Sequence, residues 1–593
     1  MTNPPPADAS RPRRSLRIAG VWPAVVLWAV LMAPLLRWGL PSRAQDDLLF
    51  GGEPAWTPER FGAAAAIEQR RERQAGADTD LNPLARRDAI APLTADEGAR
   101  GEILRRYRLF TRQPDEMITM MALQRMQPRQ FDFDPKLYQY GGGYIYLVAA
   151  ALAGSSAVGV TQLTGDVNVY LTQPELFARF YIVARVLTLV FGGLLLVAVW
   201  KLARRAAGRT AAWLAFIFVA CTPVFITGVL EAKPHLPSAC LALWATLSAL
   251  NYWTYGRPRD AVHMGWQAGY AFGLVLTGIV ALALWPALLL ARRRNRNEPG
   301  GRVRLADLVL GLSLAGGVYL ITNPYIPYNF LFNQTTLSSN FGNSLAMYAD
   351  QMQRIALGAW RVGVLLVESC GPMALVAGAI GFVWLLRRWP RPVIVASAAG
   401  LMMLVIAVLL GADKPAEYAR FLLLPVSLLC VAAAILAAQL GHRRRWLALA
   451  VAVVVVLPMG TAAYVRSFIA DAGGRTESRE QAGRYLRDHL APGQTVGVLQ
   501  EPAPYAVPPL DFASLDVFWL PPNAPVEPSA VALPDWLAFT ADDADVFRGA
   551  WWTDAYELVA RYPDERHALS RIAWADKPTF LYRCTVPSSQ PGE

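Results

Sequence analysis

Long apolar runs, most of them closed by basic clusters, set the pattern of the chain. A bilayer core takes roughly 20 apolar residues per helix. Runs of that order fall near 18–37, 180–203, 210–229, 236–254, 266–291, 304–322, 362–386, 393–411, 421–440 and 446–465. The clusters KLARRAAGR (201–209), YGRPRD (255–260), ARRRNRN (291–297), LRRWPRP (386–392) and HRRR (442–445) are expected to face the cytoplasm, where lysine and arginine accumulate. That condition decides two further runs. If residues 144–160 crossed, KLARR would land outside, so they are read as an interfacial or re-entrant element. Residues 266–291 must enter and leave on one side, as two short helices meeting near Thr277–Gly278. The pattern predicts a mainly α, polytopic transmembrane chain of about eleven membrane elements.

On this reading residues 1–17 form a cytoplasmic tail, 18–465 a transmembrane domain and 466–593 an outward C-terminal domain. The first run, VWPAVVLWAVLMAPLL, lacks a small-residue cleavage site and reads as an uncleaved first span with the N terminus inside. Two large parts lie outside: the first outer loop, 38–179, and the tail. In the tail Ala482, Tyr485, Leu486 and Leu490 share one helical face, APGQ breaks that helix, and TVGVL reads as a buried strand. DADVFRG, YELVARYP and TFLYRC suggest further small elements of an α/β module. Residues 63–100 read as a helical or poorly ordered insertion.

Composition supports a membrane chain: 54% of 593 residues are hydrophobic and 17% charged. The net charge of +11 is what cytoplasmic basic loops would give. Zinc-finger spacing, a Walker loop and basic–aromatic repeats are all missing, so nucleic acid is not an expected partner. Cys221, Cys240, Cys370 and Cys430 lie in or beside apolar runs and Cys584 stands alone, so neither a disulfide framework nor a metal spacing emerges.

The chemistry concentrates in RQPDEMITMMALQRMQPRQFDFDPKLYQYGGGYIYL, Arg112–Leu147. It sets Asp115, Glu116, Asp132 and Asp134 ahead of a glycine- and tyrosine-rich run. Acids at a helix start are ordinarily explained by the macrodipole. Here Met117, Met120, Met121 and Met126 would form the apolar face of a helix lying on the membrane. A second acidic pair in the same loop, close to an apolar surface, argues for more than capping. The other outward loops carry cations and amides: Lys233 and His235 beside Glu231 in GVLEAKPHLPSA, Arg420 with Lys414 nearby in GADKPAEYARFLLLP, and Asn323 and Tyr325 in TNPYIPYNFLFNQ. Each cation alone is equally well explained by snorkelling or a local ion pair. Their recurrence at one face points to a catalytic cleft.

These motifs, in this order, resemble the GT-C superfamily of polytopic glycosyltransferases, which includes protein O-mannosyltransferases, the aminoarabinose transferase for lipid A and family 39-like proteins. The likeness covers about residues 15–470. It implies an inverting transferase that takes a sugar from a polyprenyl phosphate or diphosphate and passes it to a glycan, lipid or protein acceptor outside a bacterial inner membrane, with active site and C terminus facing the periplasm. It implies Asp115 as general base, supported by Glu116. Asp132 and Asp134 would orient the acceptor or bind a divalent cation, which some members use. Lys233, His235 and Arg420 would hold the donor phosphate, and Tyr138, Tyr140, Asn323 and Tyr325 are candidate substrate contacts. Many relatives carry a lysine in the hairpin where this chain has Thr277–Gly278. Asp46 and Asp47 form a rival acid pair, without a DFDP…YGG element close behind. Two other classes stay open: a transporter or flippase, which would show mid-membrane charges and an inverted repeat, and a non-catalytic envelope scaffold with the same fold.

Overall fold

The structure, a computed structural model, describes residues 20–75, 90–335 except 294 and 296, 337–338, 340–342, 349, 351–473 except 413 and 443, 477–521, 533–542, 549–563 and 572–586. The expected N-terminal tail and most of DADVFRG lie outside the described residues. The chain is mainly helical, with a small sheet at its C-terminal end.

By length and composition, four helices among the described residues can cross a membrane: Pro174–Ala220, Leu305–Thr322, Pro390–Leu410 and Ala416–Gly441. Two bent pairs raise the number to six. The expected eleven elements are thus not eleven long helices, because glycine and proline break several of the runs. Residues 362–386, read as one span, belong to the pair Ile355–Cys370 and Pro372–Arg388, which bend by 106° at Gly371. Gly371 has φ 77° and Pro372 starts the next helix, so the chain cannot continue straight there. Residues 446–465 bend by 43° beside Gly460, which also has positive φ. The expected break between 203 and 210 is a kink at Ala207–Gly208 inside Pro174–Ala220.

The two ambiguous runs are short elements. Gly142–Ala157 has 16 residues, roughly 24 Å of helix against a 30 Å hydrocarbon core. Residues 258–290 form helix Pro258–Leu274, a 3-10 turn Leu276–Ala283 and helix Leu284–Leu290, with extended Val275 at the break. Gly278 meets the earlier helix so closely that a Cβ would stand 2.0 Å from the Ala271 carbonyl oxygen. That contact holds the 3-10 turn against Pro258–Leu274. Helix His235–Tyr255 is buried along most of its length, and Leu423–Gly441 packs beside Pro174–Ala220. Leu310, Ile321, Trp360, Val376, Ile380 and Val405 are exposed on the outer helices, as a lipid-facing surface requires.

The sheet has six strands: β1 (Ala91–Pro92), β2 (Val496–Val498), β3 (Val517–Trp519), β4 (Trp536–Thr540), β5 (Tyr556–Tyr562) and β6 (Thr579–Cys584). Their order is β1-β3-β2-β4-β6-β5. β3, β2 and β4 are parallel, while β1, β6 and β5 run antiparallel to their neighbours. TVGVL is β2 and is buried, as its sequence suggested. The amphipathic segment forms helix Ser478–His489, capped by the Glu477 side chain and burying Ala482 and Leu486. Part of the 63–100 insertion joins the tail: β1 pairs with β3, and Arg100 donates to the Phe512 and Leu515 carbonyls. All five cysteines are free.

A buried charged network pins the tail to the first loop. Arg112, 4% exposed, contacts Asp471 at 2.5 Å, Glu480 at 2.8 Å and Glu477 at 3.4 Å. Removing one partner of such a network strands buried charge, at a cost of about 3–5 kcal/mol. Arg112→Ala is therefore expected to loosen the tail and expose it to limited proteolysis in detergent. A digestion pattern identical to the parent would refute this role.

Candidate functional site

Asp115 occupies the N-cap position of helix Glu116–Arg125, yet its side chain makes no cap hydrogen bond. The carboxylate turns away instead. Its Oδ2 lies 2.6 Å from Arg420 Nη1 and 3.1 Å from Lys233 Nζ. Three distant parts of the chain meet here: the first loop, the stretch between helices Pro223–Leu230 and His235–Tyr255, and the 3-10 turn Ala416–Leu422. Gln113 Oε1 accepts from the Asp115 backbone N–H at 2.6 Å and fixes the turn. Asp115 remains 21% exposed and Arg420 17%, so the pair is reachable, while Lys233 at 4% is not a surface cation.

Glu116 does different work. It is fully buried and bidentate with Arg185, at 2.8 and 2.7 Å. It also accepts from Thr111 Oγ1 and from the Ala232 backbone N–H, each at 2.7 Å. Arg185 in turn donates to the Leu36 and Trp38 carbonyls. The expected support for Asp115 is thus positional: Glu116 locks the helix start to the segment that carries Lys233.

Glu231 is the residue the sequence reading undervalued. It is 4% exposed, and Lys233 Nζ sits 3.3 Å from its Oε2, so one ammonium serves two carboxylates. Burial pushes Glu231 up to about 7; Lys233 only partly opposes this, and Glu116 and Asp115 add to it. For Asp115, burial also acts upward, but Lys233 and then Arg420 more than offset it and hold the carboxyl well below the usual range. Burial alone would lower Lys233, yet Asp115 and Glu231 keep it above its ordinary value. Neighbouring carboxyls with pKa values pushed apart are a recurrent feature of acid–base sites. The signal was present in the sequence as EAK, but only the fold shows that the glutamate is buried.

His235 packs edge-on against Tyr140 and Phe421, with centroids 6.0 and 5.4 Å apart. A narrow cleft beside it is lined by Ser238, Thr277, Val280, Arg420 and Phe421. Thr277, at the hairpin position where relatives were expected to have lysine, therefore reaches the same cleft. His235 Nδ1, Arg420 Nε and Tyr140 Oη are buried and have no hydrogen-bond partner among the described residues. Buried polar atoms are rarely left so, and three of them in one cluster suit a polar ligand or water.

The other candidates form a separate cluster. Asp134 is buried and accepts from Tyr138 Oη at 2.5 Å and Asn329 Nδ2 at 2.8 Å. Asp132 pairs with Lys136 at 3.2 Å. Tyr325 Oη accepts from the Phe133 N–H, and Asn323 clamps Gly142 and Gly273. No hydrogen bond or ion pair joins Asp132 or Asp134 to Asp115 among the described residues. Nor do three His, Cys, Asp or Glu side chains gather there as a metal-binding group. The rival acids hold other contacts: Asp46 pairs with Arg108, and Asp47 with Arg484 and Arg487 of the tail helix. The tail also reaches the site, since Trp574 Nε1 donates to Glu417 at 2.5 Å, three residues before Arg420.

Comparison with known proteins bears on this geometry. Residues 174–320 match the family model of dolichyl-phosphate-mannose-protein mannosyltransferases. The matched stretch is about a quarter of the chain; it contains Arg185, Glu231, Lys233, His235 and Thr277, and leaves out Asp115 and Arg420. No curated protein matched the chain. Among solved structures, ArnT from Cupriavidus metallidurans bound to undecaprenyl phosphate aligns at 14% identity and a TM-score of 0.43, over 82% of this chain and 94% of its own. The oligosaccharyltransferase AglB from Archaeoglobus fulgidus, in complex with an inhibitory peptide and a dolichol-phosphate, aligns at 15% identity and a TM-score of 0.38, over 82% of this chain and 63% of its own.

The buried Glu231 gives a pH prediction. Its folded value, about 7, lies above its ordinary 4.5. Its stabilising contribution is therefore complete below the ordinary value and lost as pH rises through about 7. Glu231→Gln, which cannot ionise, is expected to gain Tm relative to the parent between about pH 5 and 8. A Tm difference that stays constant across that range would contradict the assignment.

Proposed function

We propose that the chain is an inverting glycosyltransferase that moves a sugar from a polyprenyl-phosphate donor to an acceptor hydroxyl at the outer face of a membrane, with Asp115 as general base. The observation that carries this reading is the carboxylate of Asp115 held between Lys233 and Arg420, with the unpartnered His235 Nδ1 and Arg420 Nε beside it. The match of residues 174–320 to a family named for a polyprenyl-phosphate sugar donor supports the donor class.

The chemistry follows from the charges. The acceptor oxygen attacks the anomeric carbon, the bond from that carbon to the phosphate oxygen breaks, and the acceptor proton passes to Asp115. Polyprenyl phosphate leaves with its added charge stabilised by Lys233 and Arg420. Phosphate is a good leaving group, so one carboxylate suffices, unlike hydrolases that use two. A carboxylate gripped by two cations is a weak base. A donor phosphate competes for the same cations and so strengthens Asp115 as a base when the donor is bound. Glu231, neutral or charged, adjusts how much of Lys233 is left for that phosphate. Asp132 and Asp134, with Tyr138, lie apart and are assigned to acceptor orientation. A divalent cation at that pair is compatible with the proposal and is not part of the step.

The test is release of free polyprenyl phosphate from a panel of polyprenyl-phosphate sugars by purified protein. One donor is expected to turn over. Asp115→Asn is expected to reduce release by about 10²–10⁴-fold, with its elution profile unchanged. Undiminished release in that variant would overturn the role of Asp115. No turnover of any donor by folded protein would favour a transport or scaffold role.

A further inference from the structure

A sizeable cavity lies at the other end of the helix bundle. It has a volume of about 770 Å³ and is enclosed by helices Pro174–Ala220, His235–Tyr255, Pro372–Arg388, Pro390–Leu410 and Leu423–Gly441. Trp253, Trp389, Ala396, Leu428 and Ile435 are among its walls, and Arg205 is the one charged residue among the described residues that line it. Helix His235–Tyr255 measures the separation. His235 belongs to the Asp115 site, whereas Leu250, Trp253 and Thr254 line the cavity, roughly 22–29 Å further along the axis at 1.5 Å per residue. The cavity is therefore not a branch of the catalytic cleft.

Its polar groups are already engaged within the protein, with one exception in charge. Ser397 Oγ donates to the Val393 carbonyl and Thr254 Oγ1 to the Leu250 carbonyl. The Arg205 guanidinium donates to Asn251 Oδ1, Thr254 Oγ1 and the Leu250 carbonyl, which are all neutral acceptors. Among the described residues no carboxylate forms an ion pair with Arg205, and Asp260 acts on it only from further off. Its side chain is thus held at the rim by neutral groups, the Tyr255 ring among them, without an ion pair. The cavity is lined by Leu202, Arg205 and Ala206 of KLARRAAGR and by Trp389 and Pro392 of LRRWPRP, two of the clusters expected to accumulate on the cytoplasmic side. An apolar cavity of this size buries a chain-like ligand well, and the single fixed cation selects an anionic head.

The geometry points to a binding site for one anionic phospholipid of the cytoplasmic leaflet, its acyl chain in this cavity and its phosphate at Arg205. The site is independent of sugar transfer, because it shares no residue with the Asp115 cluster.

The experiment is native mass spectrometry of the full-length protein in detergent, supplemented with phosphatidylglycerol, phosphatidylcholine or polyprenyl phosphate. One phosphatidylglycerol per chain is expected to be retained in preference to phosphatidylcholine. Arg205→Gln is expected to lower its occupancy about fivefold, the factor for one cation at a membrane surface. Ala396→Trp, which fills the cavity, is expected to abolish retention. Arg205 lies at the rim, so that variant tests the head group even if the tryptophan variant fails to fold. Equal retention of both phospholipids, preference for polyprenyl phosphate, or occupancy unchanged in Arg205→Gln would each overturn the assignment.

Discussion

The half of the molecule that holds Asp115 depends on one buried ion pair, Glu116 with Arg185. Breaking a buried pair leaves a bare charge in the interior, so both partners stay in place once the fold forms. Through Arg185 the pair ties down the end of the first apolar helix at Leu36 and Trp38; through Glu116 it ties down Ala232. Asp115 is the next residue along. Its position is therefore inherited from a neighbour that pairs with neither Lys233 nor Arg420. The adjacent acids, alike in sequence, have divided the work: one is saturated with hydrogen bonds and immobile, the other is held only by cations that a phosphate can also bind.

Charge balance around Lys233 explains the tuning. A lysine shared between Asp115 and Glu231 stabilises whichever carboxylate is ionised, and burial raises the cost of ionising both. Arg420 favours Asp115, and the proximity of Glu116 works against Glu231. The result is a carboxyl held low beside a carboxyl pushed up. A single buried carboxylate with one cation would provide no such pair of states.

Apolar runs made the membrane helices legible, and the basic clusters on either side of 266–291 made the break near Thr277 legible, because both signals are local. The amphipathic helix of the tail and strand β2 were legible for the same reason. The 106° bend at Gly371 was missed although CGPM spells it out, since hydropathy summed over the segment hides one Gly-Pro step. The meeting of Asp115, Lys233 and Arg420 could be suspected from charges recurring in outward loops, but their contact is a long-range fact. The burial of Glu231 and the addition of β1 from the first loop to the sheet of the tail depend on tertiary packing and leave no local signature.

The central claim is that Asp115 and a donor phosphate compete for Lys233 and Arg420. The most direct measurement is the affinity of purified protein for polyprenyl phosphate in the parent, Asp115→Asn and Lys233→Met. Competition predicts opposite signs: tighter binding when the carboxylate is neutralised, and weaker binding when the ammonium is lost. Binding that weakens in both variants, or changes in neither, would contradict the account.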